Sequence, residues 1–380
     1  MTLLTNSWIG GIAGFLAGLI PLIVIHEFGH LIVAKVLGVW AREFGIGFPP
    51  RIAKLFKWGE TQFTLNWIPL GGFVRLEGEH TFEEPAEETS LAEQDATPED
   101  EEAAKHSLYA QSPGRRSLIF LGGPVMNLIA AWALAVLLFI TGIPGPPVYI
   151  QDVLPGSPAD TAGIQTGDII RHIGGQAVET LEEVQAETRN NLGTLTEVQI
   201  ERDAAIQTVT LTPRADPPPG EGSMGILIGY NRLQHYPVFQ ALVYGTEHIV
   251  MMAAMLIAAL FILPIDIIRG LVPLSQARPV GVIGISQIAH HSIEASVTAG
   301  ALYPFFNIVI MIGVSLAIFN LLPIPALDGG RILFALIEKI RDKPLTPEIE
   351  ERIHIVALAI LMTLFIFVTV LDIVSPISLP

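Results

Sequence analysis

Cysteine is absent from the 380 residues. Disulfides and thiolate metal ligands are therefore excluded, and any transition metal has to be held by His, Asp or Glu. Charge is also scarce: 15% of residues are charged, 51% are hydrophobic and mean hydropathy is +0.53. A soluble chain of this length averages more charge and less apolar content, so the composition is that of an integral membrane protein with a soluble part. Neither Lys nor Arg occurs before Lys35. A cleavable signal peptide needs a basic n-region and an organellar transit peptide needs arginine. The first apolar segment is thus expected to stay as a membrane span.

What charge there is leans acidic, at a formal net -16. Much of it lies between Glu77 and Glu102 in a stretch with few large apolar side chains. Such a segment repels itself, and residues 78–114 are expected to form a disordered acidic loop. A docking tail for a basic partner is the alternative reading of that composition. No nucleic-acid partner is expected.

Apolar runs long enough to cross ~30 Å of hydrocarbon recur along the chain. In residues 1–77 the first span runs from Trp8 to Val36. Arg42–Glu77 follows it, broken by Gly45, Gly47, Pro49, Pro50, Pro69, Gly71 and Gly72, with strand-like β-branched and aromatic content between the breaks. A hairpin dipping into the membrane face fits this pattern, provided protein or water satisfies its backbone. Residues 115–144 hold a second span, Leu118–Thr141, opening on Gly122, Gly123 and Pro124, which permit close helix contact, and on the Asn127 amide. Residues 145–215 alternate short β-like runs with turn signals and one charged helix, the pattern of a small α+β domain. Residues 216–302 read as a linker followed by membrane-associated helices. Gln240–Pro264 is strongly apolar, and a surface-lying helix is preferred there over a span. Residues 303–380 hold the last two spans, Tyr303–Leu322 and His354–Ile373. The fold class expected is an α-helical integral membrane protein with about four transmembrane helices.

Lys35, Arg42, Arg51, Lys54, Lys57, Arg75, Arg115 and Arg116 separate the first two spans, and Arg331, Lys339, Arg341, Lys343 and Arg352 separate the last two. The positive-inside rule puts both regions in the cytoplasm, both termini outside and the α+β domain outside.

The chemistry sits at the inner helix ends. In "VIHEFGHLIV", His26 and His30 are four residues apart, so on a helix they share one face. Two imidazoles so placed can bind one zinc ion, while Glu27, about 100° further round, is better placed to reach a water than to complete the ligand set. Ionisable groups near bilayer depth are costly unless paired or functional. Polar groups buried in the helix bundle, with Glu27 neutral, are the bland reading. A catalytic zinc also needs a third ligand. Asp328 follows the span that runs from outside to inside, and so reaches the same membrane depth, although "LDGG" is also a common turn composition. Pro323 and Pro325 break the helix there, and Asn320 can bond an unwound peptide or join two helices. The cluster His290, His291 and Glu294 falls near the outer surface and reads as solvated or interfacial.

HEFGH on the first span, "NLLPIPALDGG" on the third and an intervening small domain resemble the site-2 protease family, peptidase M50, of the bacterial regulator-of-sigma-E protease type. The resemblance covers nearly the whole chain. It implies Zn²⁺ held by His26, His30 and Asp328, with Glu27 as catalytic base. It also implies substrate-binding roles for Asn320, Pro323, Pro325, Asn127, Gly71 and Gly72. Arg42–Glu77 resembles the family's membrane re-entrant β-hairpin, which takes substrate as an added strand. Residues 150–213 resemble a bacterial PDZ domain, whose partner would be a ligand peptide or a substrate ectodomain. The activity implied is intramembrane proteolysis of transmembrane protein substrates within the lipid bilayer of the cell inner membrane. Anti-sigma factors and signal-peptide remnants are the substrate kinds implied. The active site would lie near the cytoplasmic side and the PDZ domain on the outer side. The rival class is a non-catalytic PDZ-containing membrane scaffold with a vestigial metal site.

Overall fold

The computed structural model describes residues 7–79, 98–272, 280–343 and 347–375. Two compact units emerge, one from residues 1–137 and 242–380, the other from Leu138–Ala241. In chain order the elements are α1 (Ser7–Val36), β1 (Ala41–Trp58), β2 (Thr61–Leu76), α2 (Pro98–Lys105) and α3 (Pro113–Thr141). The second unit contains β3 (Ile143–Val153), α4 (Pro158–Thr161), β4 (Ile169–Ile173), β5 (Gln176–Ala177), α5 (Leu181–Asn190), β6 (Thr196–Arg202), β7 (Ala205–Leu211) and β8 (Ile226–Gln234). The chain then returns through α6 (Val238–Ile268), α7 (Val282–Ala299), α8 (Tyr303–Leu321), α9 (Asp328–Arg341) and α10 (Pro347–Val374).

Among the described residues, 5 helices are long and apolar enough to cross a membrane: α1, α3, α6, α8 and α10. The one beyond the expected four is α6, whose most apolar window is only 6% buried. It covers the stretch for which a surface-lying helix is expected, and its length and apolarity are also those of a span.

Small residues set the helix contacts. A Cβ on Gly29 of α1 would lie 2.2 Å from the Gly122 carbonyl oxygen of α3, and one on Gly122 would lie 2.6 Å from Gly29 O. The two backbones therefore touch where "HEFGH" crosses "LGGP", a closeness that any larger residue would prevent. Further up α1, a Cβ on Gly11 would meet Ser286 O of α7 at 2.5 Å, and one on Gly18 would meet Val309 of α8 at 3.0 Å. Phe15, Leu22, Ala289, Ile308, Val309 and Ile312 form the buried cluster between these helices.

β1 and β2 make more than a simple hairpin. Glu43, Phe44, Gly45 and Ile46 pair on one side with Arg75, Val74, Phe73 and Gly72, and on the other with Gln62, Phe63, Thr64 and Leu65. Arg51, Ala53, Lys54 and Lys57 pair in turn with Asn66, Leu65, Thr64 and Gln62. Each long strand folds back near its prolines, so 43–46 is central and 72–76 is an edge. Buried Glu43 ties the layers by accepting from Thr64 Oγ1 at 2.7 Å and from Arg51 Nη2 at 2.9 and 3.0 Å.

Part of the expected acidic loop is ordered. α2 is followed by a short 3-10 turn, Leu108–Ala110, in which Leu108 is buried. The Leu108 N–H donates to Glu77 O at 2.8 Å, and the Trp40 N–H donates to His106 O at 3.0 Å. Residues 98–114 are thus stitched to the base of the β-structure by long-range backbone pairing, which composition does not reveal. Residues 80–97 of the expected loop lie outside the described residues.

In the second unit the sheet order is β7-β6-β4-β3-β8, with β5 on β4. Its core contains Val148, Ile150, Ile170, Ile173, Val198 and Ile200. Thr180 and Glu183 form a reciprocal capping box at the start of α5. Asp168, 1% exposed, accepts from Arg202 Nε and Nη2, both at 2.6 Å. β8 pairs with β3 from Ile143↔Gln234 to Val153↔Ile226. Residues 226–234, expected to lie in a linker, instead complete the sheet. The pairing is non-local, so local turn signals ended the domain too early.

Candidate metal centre

His26 and His30 lie on adjacent turns of α1, both 8% exposed. Their Nε2 atoms face each other at 3.2 Å. Asp328 Oδ2, from the first turn of α9, lies 3.1 Å from His26 Nε2 and 3.5 Å from His30 Nε2. The three side chains are a group whose donor atoms can hold one metal ion. Two donors each about 2 Å from a tetrahedral zinc ion sit about 3.3 Å apart. All three separations match that spacing.

The second layer favours the same reading. His30 Nδ1 lies 2.8 Å from the Ile119 carbonyl, to which it can only donate, so the Nε2 lone pair of the neutral ring points inward. Asn127, 0% exposed, presses its amide on His26 Nδ1 at 3.2 Å. Among the described residues the Asn127 Oδ1 has no hydrogen-bond partner, and a half-turn of the amide brings it onto Nδ1–H. Asp328 Oδ2 is likewise a buried oxygen without a hydrogen-bond donor. Two bare nitrogens and a carboxylate oxygen converging at buried positions repel one another unless a cation sits between them. Gly123 completes the cradle: a Cβ there would lie 2.4 Å from His30 Nε2 and 2.7 Å from His26 Nε2. The residues present therefore fit a tetrahedral divalent metal.

The site opens into a cavity of about 630 Å³, lined by Glu27, Asn320 and Asn127, by Gly72–Leu76 of the edge segment, and by Leu316 and Phe120. Glu27 is outside the ligand group, and a Cβ on Gly72 would lie 3.2 Å from its Cγ. Arg331 and Glu79 also line the cavity and pair at 2.5 Å. Opposite charge on Glu79 outweighs the cost of burial and raises the Arg331 pKa, so the guanidinium stays charged.

Of the residues expected to bind substrate, Asn320 and Gly72 line the cavity. Asn127 also reaches it, but its amide is spent on His26. Gly71, Pro323 and Pro325 do not line it. A Cβ on Gly71 would lie 2.2 Å from the Phe48 ring, so this residue serves sheet packing. The two prolines lie in the turn that leads to Asp328. His290 Nε2 pairs with Glu294 at 3.2 Å, away from the cavity lining. Sequence reasoning missed Ile119 O, Arg331 and the closeness of Gly123 to the rings. Only "GGP" hinted at the last.

A family model of Peptidase family M50 matches residues 14–364. The zinc metalloprotease RasP of Oceanobacillus iheyensis is 29% identical, over 93% of this chain and 96% of that protein. The zinc metalloprotease RasP of Geobacillus kaustophilus is 30% identical, over 93% of this chain and 95% of that protein. The regulator of sigma-W protease RasP of Bacillus subtilis is 26% identical, over 93% and 95%. Among solved structures, the PDZ domain of an SdrC-like protein from Listeria monocytogenes matches 22% of this chain and 86% of that one, at 20% identity and a TM-score of 0.20.

Proposed function

The chain belongs to peptidase family M50, and we propose that it is a zinc-dependent endopeptidase that cuts membrane-embedded segments of other membrane proteins. The convergence of His26, His30 and Asp328 within 3.1–3.5 Å carries this reading. Its relatives are named zinc metalloproteases. Zn²⁺ held by the three side chains would supply Lewis acidity toward a peptide carbonyl and lower the pKa of water. Glu27, beside the ligands and on the cavity wall, takes the proton from the attacking water and delivers it to the departing amine nitrogen.

Among the described residues, the edge segment Gly72–Leu76 is paired with β1 on one side only, and it lines the cavity. A substrate helix hides its scissile carbonyl in backbone hydrogen bonds. Unwound, it could pair with this open edge as an added strand. Exposed Phe48, Phe56, Trp58, Trp67 and Ile68 suit a β-structure dipping into lipid, with Lys54 and Lys57 at the headgroups. The basic residues of α9 and of the β1–β2 tract support a site near the cytoplasmic side of a cell membrane. The second unit, read as a PDZ-type domain on the outer side, screens what reaches the bilayer. Single-span proteins already trimmed outside, such as anti-sigma factors or signal-peptide remnants, are the substrate class this implies.

The variant Glu27→Gln keeps the size of the side chain but cannot take a proton. Purified in detergent, it should retain zinc by elemental analysis and lose cleavage of a reporter transmembrane segment. Cleavage at the wild-type rate would overturn the assigned mechanism.

A further inference from the structure

Ala326, two residues before Asp328, has φ 76°, in the left-handed region that residues with a Cβ rarely adopt. It also lines the metal-site cavity. The turn around it is packed on one face by the start of α9. A Cβ on Gly329 would lie 2.2 Å from Leu322 O, and one on Gly330 would lie 2.3 Å from Ile324 O. On the other side, the Ala326 N–H donates to His354 Nδ1 of α10 at 2.7 Å. Among the described residues, this is the one side-chain hydrogen bond to the backbone of 322–327. The His354 ring is itself held, edge-on to Phe334 of α9 at 5.3 Å, with Nε2 3.8 Å from Glu350 Oε1.

We propose that His354 is a positioning residue for the metal centre. It accepts the Ala326 N–H and so holds the strained turn that sets the Asp328 carboxylate opposite His26 and His30. The acceptor role requires a bare Nδ1, with the proton on Nε2 facing Glu350. Loss of the acceptor leaves the Ala326 N–H unpaired and lets the turn relax toward negative φ. Asp328 then swings with the first turn of α9. The inference rests on the reading of His26, His30 and Asp328 as a zinc site.

Two substitutions separate the acceptor from the ring. His354→Asn keeps an acceptor oxygen near the Nδ1 position and loses the ring. His354→Leu keeps an apolar body against Phe334 and loses the acceptor. The full-length protein in detergent is titrated with zinc against a fluorescent chelator, and the cobalt-substituted protein is examined for its d–d absorption. His354→Leu should weaken zinc about 10–100-fold, the size of effect seen for partners that orient a ligand, and should change the cobalt spectrum. His354→Asn should stay within about threefold of wild type by the same yardstick. Adding Ala326→Gly to His354→Leu should restore zinc affinity and spectrum, because glycine adopts positive φ without strain. Wild-type affinity in His354→Leu would overturn the proposal. So would a loss in His354→Asn equal to that in His354→Leu, or failure of His354→Asn to fold, since either marks a packing role for the ring. A wild-type protein that binds no zinc would instead overturn the site reading itself.

Discussion

Gly123→Ala adds one methyl group at the most confined point of the metal centre. Its Cβ would lie 2.4 Å from His30 Nε2 and 2.7 Å from both Cε1 and Nε2 of His26. Comfortable contact needs about 3.5 Å, so about 1 Å of overlap has to be relieved. Backing α3 away would open the backbone-to-backbone contact of Gly122 with Gly29. The rings cannot turn aside without losing Ile119 O or the Asn127 amide. Zinc–ligand distances tolerate only about 0.2 Å, so a displacement near 1 Å amounts to losing a ligand. The expected loss is at least about 100-fold in zinc affinity, or about 2.8 kcal/mol at 1.4 kcal/mol per decade. Purified protein titrated with zinc against a chelator measures it, and zinc content by elemental analysis confirms it. Gly114→Ala on the same helix is the control, since a Cβ there meets nothing within 4 Å. Zinc binding by Gly123→Ala with wild-type stoichiometry and affinity would refute the reasoning.

Removing the Asn127 amide with Asn127→Leu should weaken zinc about 10–100-fold without abolishing it, read in the same titration, because His26 keeps its nitrogen but loses the group that orients it. Stripping zinc with a chelator should lower the midpoint of thermal unfolding, and re-adding it should raise the midpoint in step with concentration, since a ligand of the folded state stabilises by mass action. In the second unit, Arg202→Met should cost about 1.5–3 kcal/mol, because the buried Asp168 carboxylate loses its charged donor but keeps the Gln165 N–H and the cation is partly solvated. Calorimetry of the full-length protein should show an earlier transition while zinc affinity stays unchanged.

Much of the centre is legible in the sequence because its parts are local. Four-residue spacing puts His26 and His30 on one face of any helix, and "LDGG" after a span leaves few depths for Asp328. Other features have no local signature. The double pairing of 43–46 depends on strands that fold back at their prolines, and alternation in a single strand does not say how many neighbours it has. β8 joins β3 across most of the second unit, so a reading that looks for turns closes the domain before it is complete. Leu108 lies just beyond an acidic tract whose composition argues against order, and only its burial under the β-structure overrides that.

What the sequence determined by itself is the membrane class, the exclusion of thiolate ligands and two imidazoles in register, because composition and the 3.6-residue period act within one segment. Tertiary structure alone decided which atoms surround the imidazoles. Gly123 meets the rings because Gly29 and Gly122 let two backbones touch. The Ile119 carbonyl and the Asn127 amide reach their nitrogens through that same crossing. His354 finds Ala326 only because α10 packs on the turn before α9. Such contacts join residues far apart in the chain, and neither propensity nor spacing encodes which distant backbone carbonyl or N–H a side chain will meet.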